Sequence, residues 1–126
     1  MTQTGLRFSK DHEWARQEGD LVTVGITDYA QHQLTDIVLV DLPPVGKKVA
    51  AGDPVVVVES TKRVADVYSP VAGEVAEVNT ELEGAPELVN EEPYGKGWMV
   101  RIKAPGASLD SLMDEAAYQA YVEEQG

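Results

Sequence analysis

The sequence predicts a mainly β domain, a sandwich or flattened barrel, with a short helix in its N-terminal half and a helical tail. Three observations carry this. Short strand-forming runs alternate with turn residues from Leu6 to Lys103. After Lys103 the apolar residues recur at helical spacing instead. The chain has 126 residues, 43% of them hydrophobic, enough for one core and too short for two ordinary ones. One domain over 1–126 is expected, with a β body over about 6–103 and a tail over about 108–124.

Leu6 to Phe8, Trp14 to Gln17 and Leu21 to Gly25 read as strands, the last two joined by a Glu18-Gly19-Asp20 hairpin turn. Asp28 to Leu34 reads as a short helix, with Asp28 as N-cap and Gln31 three residues on in the manner of a capping box. Further strands are expected at Ile37 to Val40, Lys48 to Val49, Val55 to Glu59, Val64 to Tyr68, Gly73 to Val78 and Trp98 to Lys103. Turn chemistry separates them at Pro43-Pro44-Val45-Gly46, Gly52-Asp53-Pro54, Ser69-Pro70 with Gly73, and Glu92-Pro93-Tyr94-Gly95.

Ala104-Pro105-Gly106 ends the last strand. Leu109, Leu112 and Met113 then follow a candidate Ser108 cap, and Asp114 can cap a second run. In that run Ala117, Tyr118, Tyr121 and Val122 form one apolar face, while Glu115, Gln119, Glu123 and Glu124 stay wet, so the tail should pack back on the β body. There is also an internal echo. Val45 to Gly52 resembles the run from Val71 to Val78, and two such repeats would set the segment from Glu59 to Asp66 at a hairpin tip.

Charge and composition exclude several functions. With 10 Lys plus Arg against 22 Asp plus Glu, the net charge is -12 and the pI about 4.4, which repels nucleic-acid backbones and acidic membrane surfaces. The surplus reads either as a solubilising face or as a patch facing a partner. There is no cysteine, so disulfides, thiolate metal sites and a cysteine nucleophile are out, and any dithiol chemistry must be imported. The longest aliphatic runs, Ile37 to Val40 and Val55 to Val58, fall far short of the roughly 20 residues that a membrane span needs. Met1 to Gly5 has neither a basic start nor an apolar stretch, so no secretory leader is expected and the cytoplasm, or the mitochondrial matrix in a eukaryote, is the expected location.

Motifs for catalysis are missing in turn. His12-Glu13 would begin a zinc helix only with a second His four positions on, where Arg16 stands. Gly46-Lys47 lacks the glycine five residues before it and the Ser or Thr after it that a phosphate loop requires, and no Gly-x-Ser-x-Gly elbow occurs. His12 and His32 are the only histidines, and they read as structural or exposed rather than catalytic.

The informative segment is Val55-Val56-Val57-Val58-Glu59-Ser60-Thr61-Lys62-Arg63-Val64-Ala65-Asp66-Val67-Tyr68-Ser69-Pro70. Strand-favouring residues run to Glu59 and resume at Val64, so the residues between must turn and Lys62 should project its amine into solvent. By itself this describes an ordinary solvated turn lysine.

Around that lysine the chain resembles the glycine cleavage system H proteins, a family of lipoyl carriers. The resemblance runs roughly from Phe8 to Tyr121. Its blocks are Lys10-Asp11-His12-Glu13-Trp14, Val24-Gly25-Ile26-Thr27, Asp41-Leu42-Pro43, Val58-Glu59-Ser60-Thr61-Lys62 with Ala65 to Val75, then Leu88-Val89-Asn90, Pro93-Tyr94 and Gly97-Trp98. It implies a biotinyl/lipoyl-type flattened β-sandwich. It also implies lipoate joined as an amide to Lys62, attached by a lipoate ligase or a lipoyl/octanoyl transferase. Glu59, Asp66 and Glu13 become candidate cleft contacts to the loaded arm, with Trp14 or neighbouring aliphatics excluding water.

The implied role is that of a non-catalytic carrier. Its arm takes the aminomethyl group of glycine from a pyridoxal-phosphate decarboxylase (P protein) and yields the one-carbon unit to a tetrahydrofolate-dependent aminomethyltransferase (T protein). A flavin-dependent dihydrolipoamide dehydrogenase (L protein) then reoxidises it. Arg63 departs from the small residue that often follows the lysine in relatives, and it alters the surface a ligase meets. It keeps open a rival reading, a lipoate relay or a non-lipoylated binding module. A biotin carrier shares the fold, but its lysine is usually flanked by methionines, whereas Thr61 and Arg63 flank Lys62 here.

Overall fold

The computed structural model describes residues 5–125; the expectation about a leader at Met1 to Gly5 falls, but for Gly5, outside them. Among the described residues nine strands form two antiparallel sheets. The larger has the order β1 (Leu6–Phe8), β2 (Glu13–Glu18), β3 (Leu21–Ile26), β9 (Val100–Lys103), β8 (Gly73–Val78), β5 (Lys48–Val49). The smaller has β4 (Ile37–Asp41), β6 (Pro54–Ser60) and β7 (Val64–Tyr68). Alternation along the strands builds the core between them: Val22, Val24, Val75, Val100 and Ile102 from one sheet meet Val40, Val56, Val58 and Val67 from the other. This is the sandwich that the strand and turn pattern predicts.

The opposite face of β2 builds a second cluster. Trp14 is wholly buried with Leu6, Phe8 and Tyr118, and its indole N–H donates to the Pro93 carbonyl at 2.8 Å. Gly25 lies across from Trp14 in the β2–β3 ladder, where a Cβ would stand 2.7 Å from the indole nitrogen. Only glycine leaves room for the ring. The tail does pack back, since the Tyr118 ring of α4 (Glu115–Gln125) stacks on Phe8 at 4.6 Å between centroids.

The internal echo has a structural counterpart. Lys48 pairs with Glu74 and Glu59 with Val64, two ladders centred on Thr61 and Lys62. The segment between the echoes is therefore a hairpin, with residues 61–63 at its tip.

Four local expectations are corrected. The N-cap of α1 (Asp28–Leu34) is Thr27, not Asp28: Thr27 is extended and its hydroxyl accepts the Ala30 N–H, while Asp28 sits in the first turn and accepts from the Gln31 amide at 2.8 Å. Residues 108–113 form turns rather than helix, because Met113 exchanges both backbone hydrogen bonds with Phe8 and so extends β1. The helix starts only at Glu115, where Asp114 does cap it by accepting the Ala117 N–H at 2.8 Å, and Ala117 itself is exposed. Finally, β9 begins at Val100 rather than Trp98, and two single-turn helices, α2 (Glu81–Gly84) and α3 (Leu88–Glu91), bridge β8 and β9 and bury Leu82 and Val89.

Candidate functional site

The β6–β7 tip is a turn held by one serine. The Ser60 N–H donates to the Arg63 carbonyl at 2.8 Å. The Ser60 hydroxyl accepts the N–H groups of Lys62 and Arg63 at 3.2 and 3.1 Å and itself donates to the Arg63 carbonyl. A second tether joins the tip to the α1–β4 connection, where the Thr61 N–H donates to the Asp36 carbonyl at 3.1 Å. The backbone under Lys62 is thus fixed while its side chain stands in solvent.

Beside this tip lies a cleft of about 160 Å³ between β2, α1 and β7. Ile26, Ala30, Leu34, Val58, Ala65 and Val67 give it apolar walls, and Asp11, Glu13 and Arg63 bring charge to it, while Asp66, opposite Val57 in the β6–β7 ladder and between Ala65 and Val67, borders the rim with its side chain turned to the outer face. Glu13 and Asp66, far apart in sequence, both border this one cleft, Glu13 from its wall and Asp66 from its rim. Glu59 is not among its lining residues: side chains alternate along β6, so with Val58 facing the cleft its neighbour faces away. Trp14 is not its lid either, since on β2 it points to the face opposite Glu13; the aliphatics fill that role.

Glu13 is only 3% exposed, yet both of its oxygens are engaged. The Ser9 hydroxyl donates to one at 2.5 Å and the Tyr68 N–H to the other at 3.1 Å. Burial pushes this carboxyl above its ordinary value, the Ser9 and Tyr68 hydrogen bonds pull the other way, and the Asp11 charge adds to the rise. A raised folded-state pKa means that the native protein holds this proton more tightly than the unfolded chain. Glu13 therefore stabilises most below its unfolded pKa, and that contribution fades as pH rises through the folded pKa. Unfolding of wild type and Glu13→Gln, compared between about pH 4 and about pH 7, should show wild type losing ground to the variant as pH rises. A gap that stays constant with pH would contradict the shift.

Asp66 is exposed at the edge strand β7 and lines both this cleft and a groove on the outer face with Val57 and Pro54. The sequence reading missed Ser9, which orients Glu13, and it placed Arg63 only on the exposed tip. A Ser four residues before a Glu carries no signal by itself; the loop that folds one onto the other does. Among the described residues no cluster of three or more His, Cys, Asp or Glu could hold a metal ion, and no helix is long and apolar enough to cross a membrane.

Comparison with known proteins agrees with this geometry. A family model described as glycine cleavage H-protein matches residues 6–125. A glycine cleavage system H protein of Parvibaculum lavamentivorans is 55% identical over 119 residues, covering 94% of this chain and 95% of that one. One from Thermus thermophilus is 54% identical over 94% of this chain and 93% of its own. The crystal structure of a glycine cleavage system H protein from Mycobacterium marinum superposes with a TM-score of 0.87 at 34% identity, covering 97% of this chain and 99% of that one. With a sandwich, a lysine-bearing tip and near full-length matches all in accord, the chain belongs to the glycine cleavage H-protein family, the non-catalytic lipoyl carriers that work with the P, T and L proteins of the glycine cleavage system.

Proposed function

We propose that Lys62 is the residue that carries the lipoyl group, and that the cleft beside it, with Glu13 in its wall and Asp66 at its rim, shelters the loaded arm. The observation that carries this reading is an exposed lysine on a serine-clamped hairpin tip directly next to an apolar-walled cleft. A lipoate ligase or lipoyl/octanoyl transferase would meet the tip first, because the unmodified amine extends no farther than its own side chain. When attached, the group supplies a cyclic disulfide that opens to take up the one-carbon amine of glycine and is closed again by oxidation.

The chain's own part is to hold and to exclude. Each Glu13 oxygen already accepts one hydrogen bond and keeps a lone pair for a second, so the carboxylate can receive an ammonium without breaking its anchors. The aliphatic walls keep water from a labile adduct. On a flexible tether the reactive group meets each partner enzyme at high effective concentration.

The test is to load the arm and time spontaneous release of the one-carbon amine. Glu13→Gln with Asp66→Asn should speed release roughly tenfold, the effect of losing a charge-assisted hydrogen bond of about 1.5 kcal/mol. Unchanged release in a folded double variant would remove both residues from the role.

Arg63 gives a second check. Its side chain is exposed and borders the cleft, so Arg63→Ala should alter the lipoylation rate modestly and change stability by no more than about 0.5 kcal/mol. A large loss of thermal stability would show that the tip is structurally engaged. We also propose a cytoplasmic location, in keeping with a sequence without cysteine; recovery from an exported fraction would contradict it.

A further inference from the structure

The wall of the cleft that holds Glu13 is tied to the C-terminal helix. His12, the residue before Glu13, has a left-handed backbone with φ 67°, a conformation that a non-glycine residue keeps only when its surroundings hold it there. Its Nδ1 lies 2.8 Å from the Tyr118 hydroxyl, which in turn lies 2.7 Å from the Thr27 hydroxyl. About one helical turn later on the same face, the Tyr121 hydroxyl donates to the Lys10 carbonyl at 3.1 Å. The His12 ring also sits against Tyr29, Tyr118 and Tyr121, with centroids 4.6 to 5.8 Å away.

We propose that α4 is a positioning clasp: through Tyr118 on His12 and Tyr121 on Lys10 it sets the loop from Ser9 to Glu13, and thereby the place of the Glu13 carboxylate in the cleft. The geometry of the loop makes the transmission direct. The Ser9 N–H donates to the Glu13 carbonyl at 3.0 Å, the His12 N–H to the Ser9 carbonyl at 3.2 Å, and the Ser9 hydroxyl grips both the Glu13 N–H and its carboxylate. A loop so closed on itself moves as one piece, tied outward to the end of β3, where the His12 carbonyl accepts the Thr27 N–H at 3.0 Å, and to α4 through Tyr118 and Tyr121. The Tyr118 hydroxyl can serve this purpose at any working pH, since burial raises its pKa to about 12 and keeps it protonated.

The functional importance of the clasp rests on the cleft being the arm's shelter, but its mechanical content does not. The experiment therefore uses the full, unloaded chain. Tyr118→Phe with Tyr121→Phe keeps both rings, and with them the Phe8 stack, while removing both hydroxyls. The probe is the Tyr68 amide, whose proton is donated to Glu13. Its exchange should quicken roughly fivefold to thirtyfold, as expected when one or both of two hydrogen bonds worth about 1 kcal/mol each no longer hold the loop. The Glu13 titration midpoint, followed through the same amide, should fall back toward the ordinary carboxylate value as the site loosens.

Ser9→Ala, which removes the direct grip on Glu13, sets the scale and should move the same amide in the same direction. If Ser9→Ala moves the Tyr68 amide and the double tyrosine variant leaves both exchange and midpoint unchanged, α4 only covers Phe8 and the clasp is refuted. Release from the loaded arm is the second arm of the test. Faster release in the tyrosine variant alongside the amide changes supports clasp and shelter together. Amide changes without faster release leave the clasp standing and count against the shelter.

Discussion

A Lys62→Arg protein should emerge from lipoylating cells with no acyl group at all. Arginine keeps the charge and most of the stem, but its guanidinium stays protonated and offers no nucleophilic amine. The turn itself should not notice, because Ser60 grips backbone groups of residues 62 and 63 and not the lysine side chain. The other five lysines, Lys10, Lys47, Lys48, Lys96 and Lys103, are exposed as well, so accessibility cannot single out the target. What separates Lys62 is the hairpin tip. Lys48 and Lys103 instead lie within ladders opposite Glu74. Intact mass of the variant reads the outcome directly, and an acylated Lys62→Arg protein would overturn the assignment.

Trp14→Ala should be the most destabilising of the substitutions considered, at about 3–5 kcal/mol. The ring is fully buried against Leu6, Phe8 and Tyr118, and its loss also strands the Pro93 carbonyl that its N–H satisfies. Gly25, the residue opposite, cannot fill the space, since it lacks a side chain and its backbone is locked in the β2–β3 ladder. Against a total stability of about 5–15 kcal/mol this is a large fraction. Urea unfolding measures it, and a loss below about 1 kcal/mol would mean that the second cluster contributes little to the fold. Trp14 and Glu13 are adjacent, so the same strand places an anchor on one face and a cleft residue on the other.

What the sequence reveals and what it hides divide along physical lines. Strands with turn chemistry at both ends, such as β6 and β7 around Ser60 to Arg63, are legible because alternation and breakers are local signals. The single-turn helices α2 and α3 are not, since four residues cannot display a helical period and neither has a side-chain cap. Residues 108–113 mislead because the spacing of Leu109, Leu112 and Met113 fits a helix, yet the free edge of β1 takes the backbone of Met113 instead. The cap of α1 is displaced by one residue because Thr27 and Asp28 both have capping chemistry, and only backbone geometry decides between them.

The site shows the same division. Lys62 stands out from turn position and family motif, whereas the placing of Glu13 and Asp66 at one cleft depends on how α1 and β2 close over β7, a matter of tertiary packing. Glu59 lies in the same motif as Lys62 but on a strand whose alternation turns it from the cleft, so proximity in sequence misled there. The ties from Tyr118 and Tyr121 to His12 and Lys10 join positions more than a hundred residues apart in the chain. No local pattern announces them.

The central claim, that this chain carries a lipoyl group on Lys62, is tested most directly by mass spectrometry of the protein purified from its native cells, with fragmentation to locate any modified lysine. The account predicts one lipoyl group per chain, on the peptide that contains Ser60-Thr61-Lys62-Arg63. An unmodified chain from cells that lipoylate other proteins, a biotinyl group, or a lipoyl group on any other lysine would contradict it.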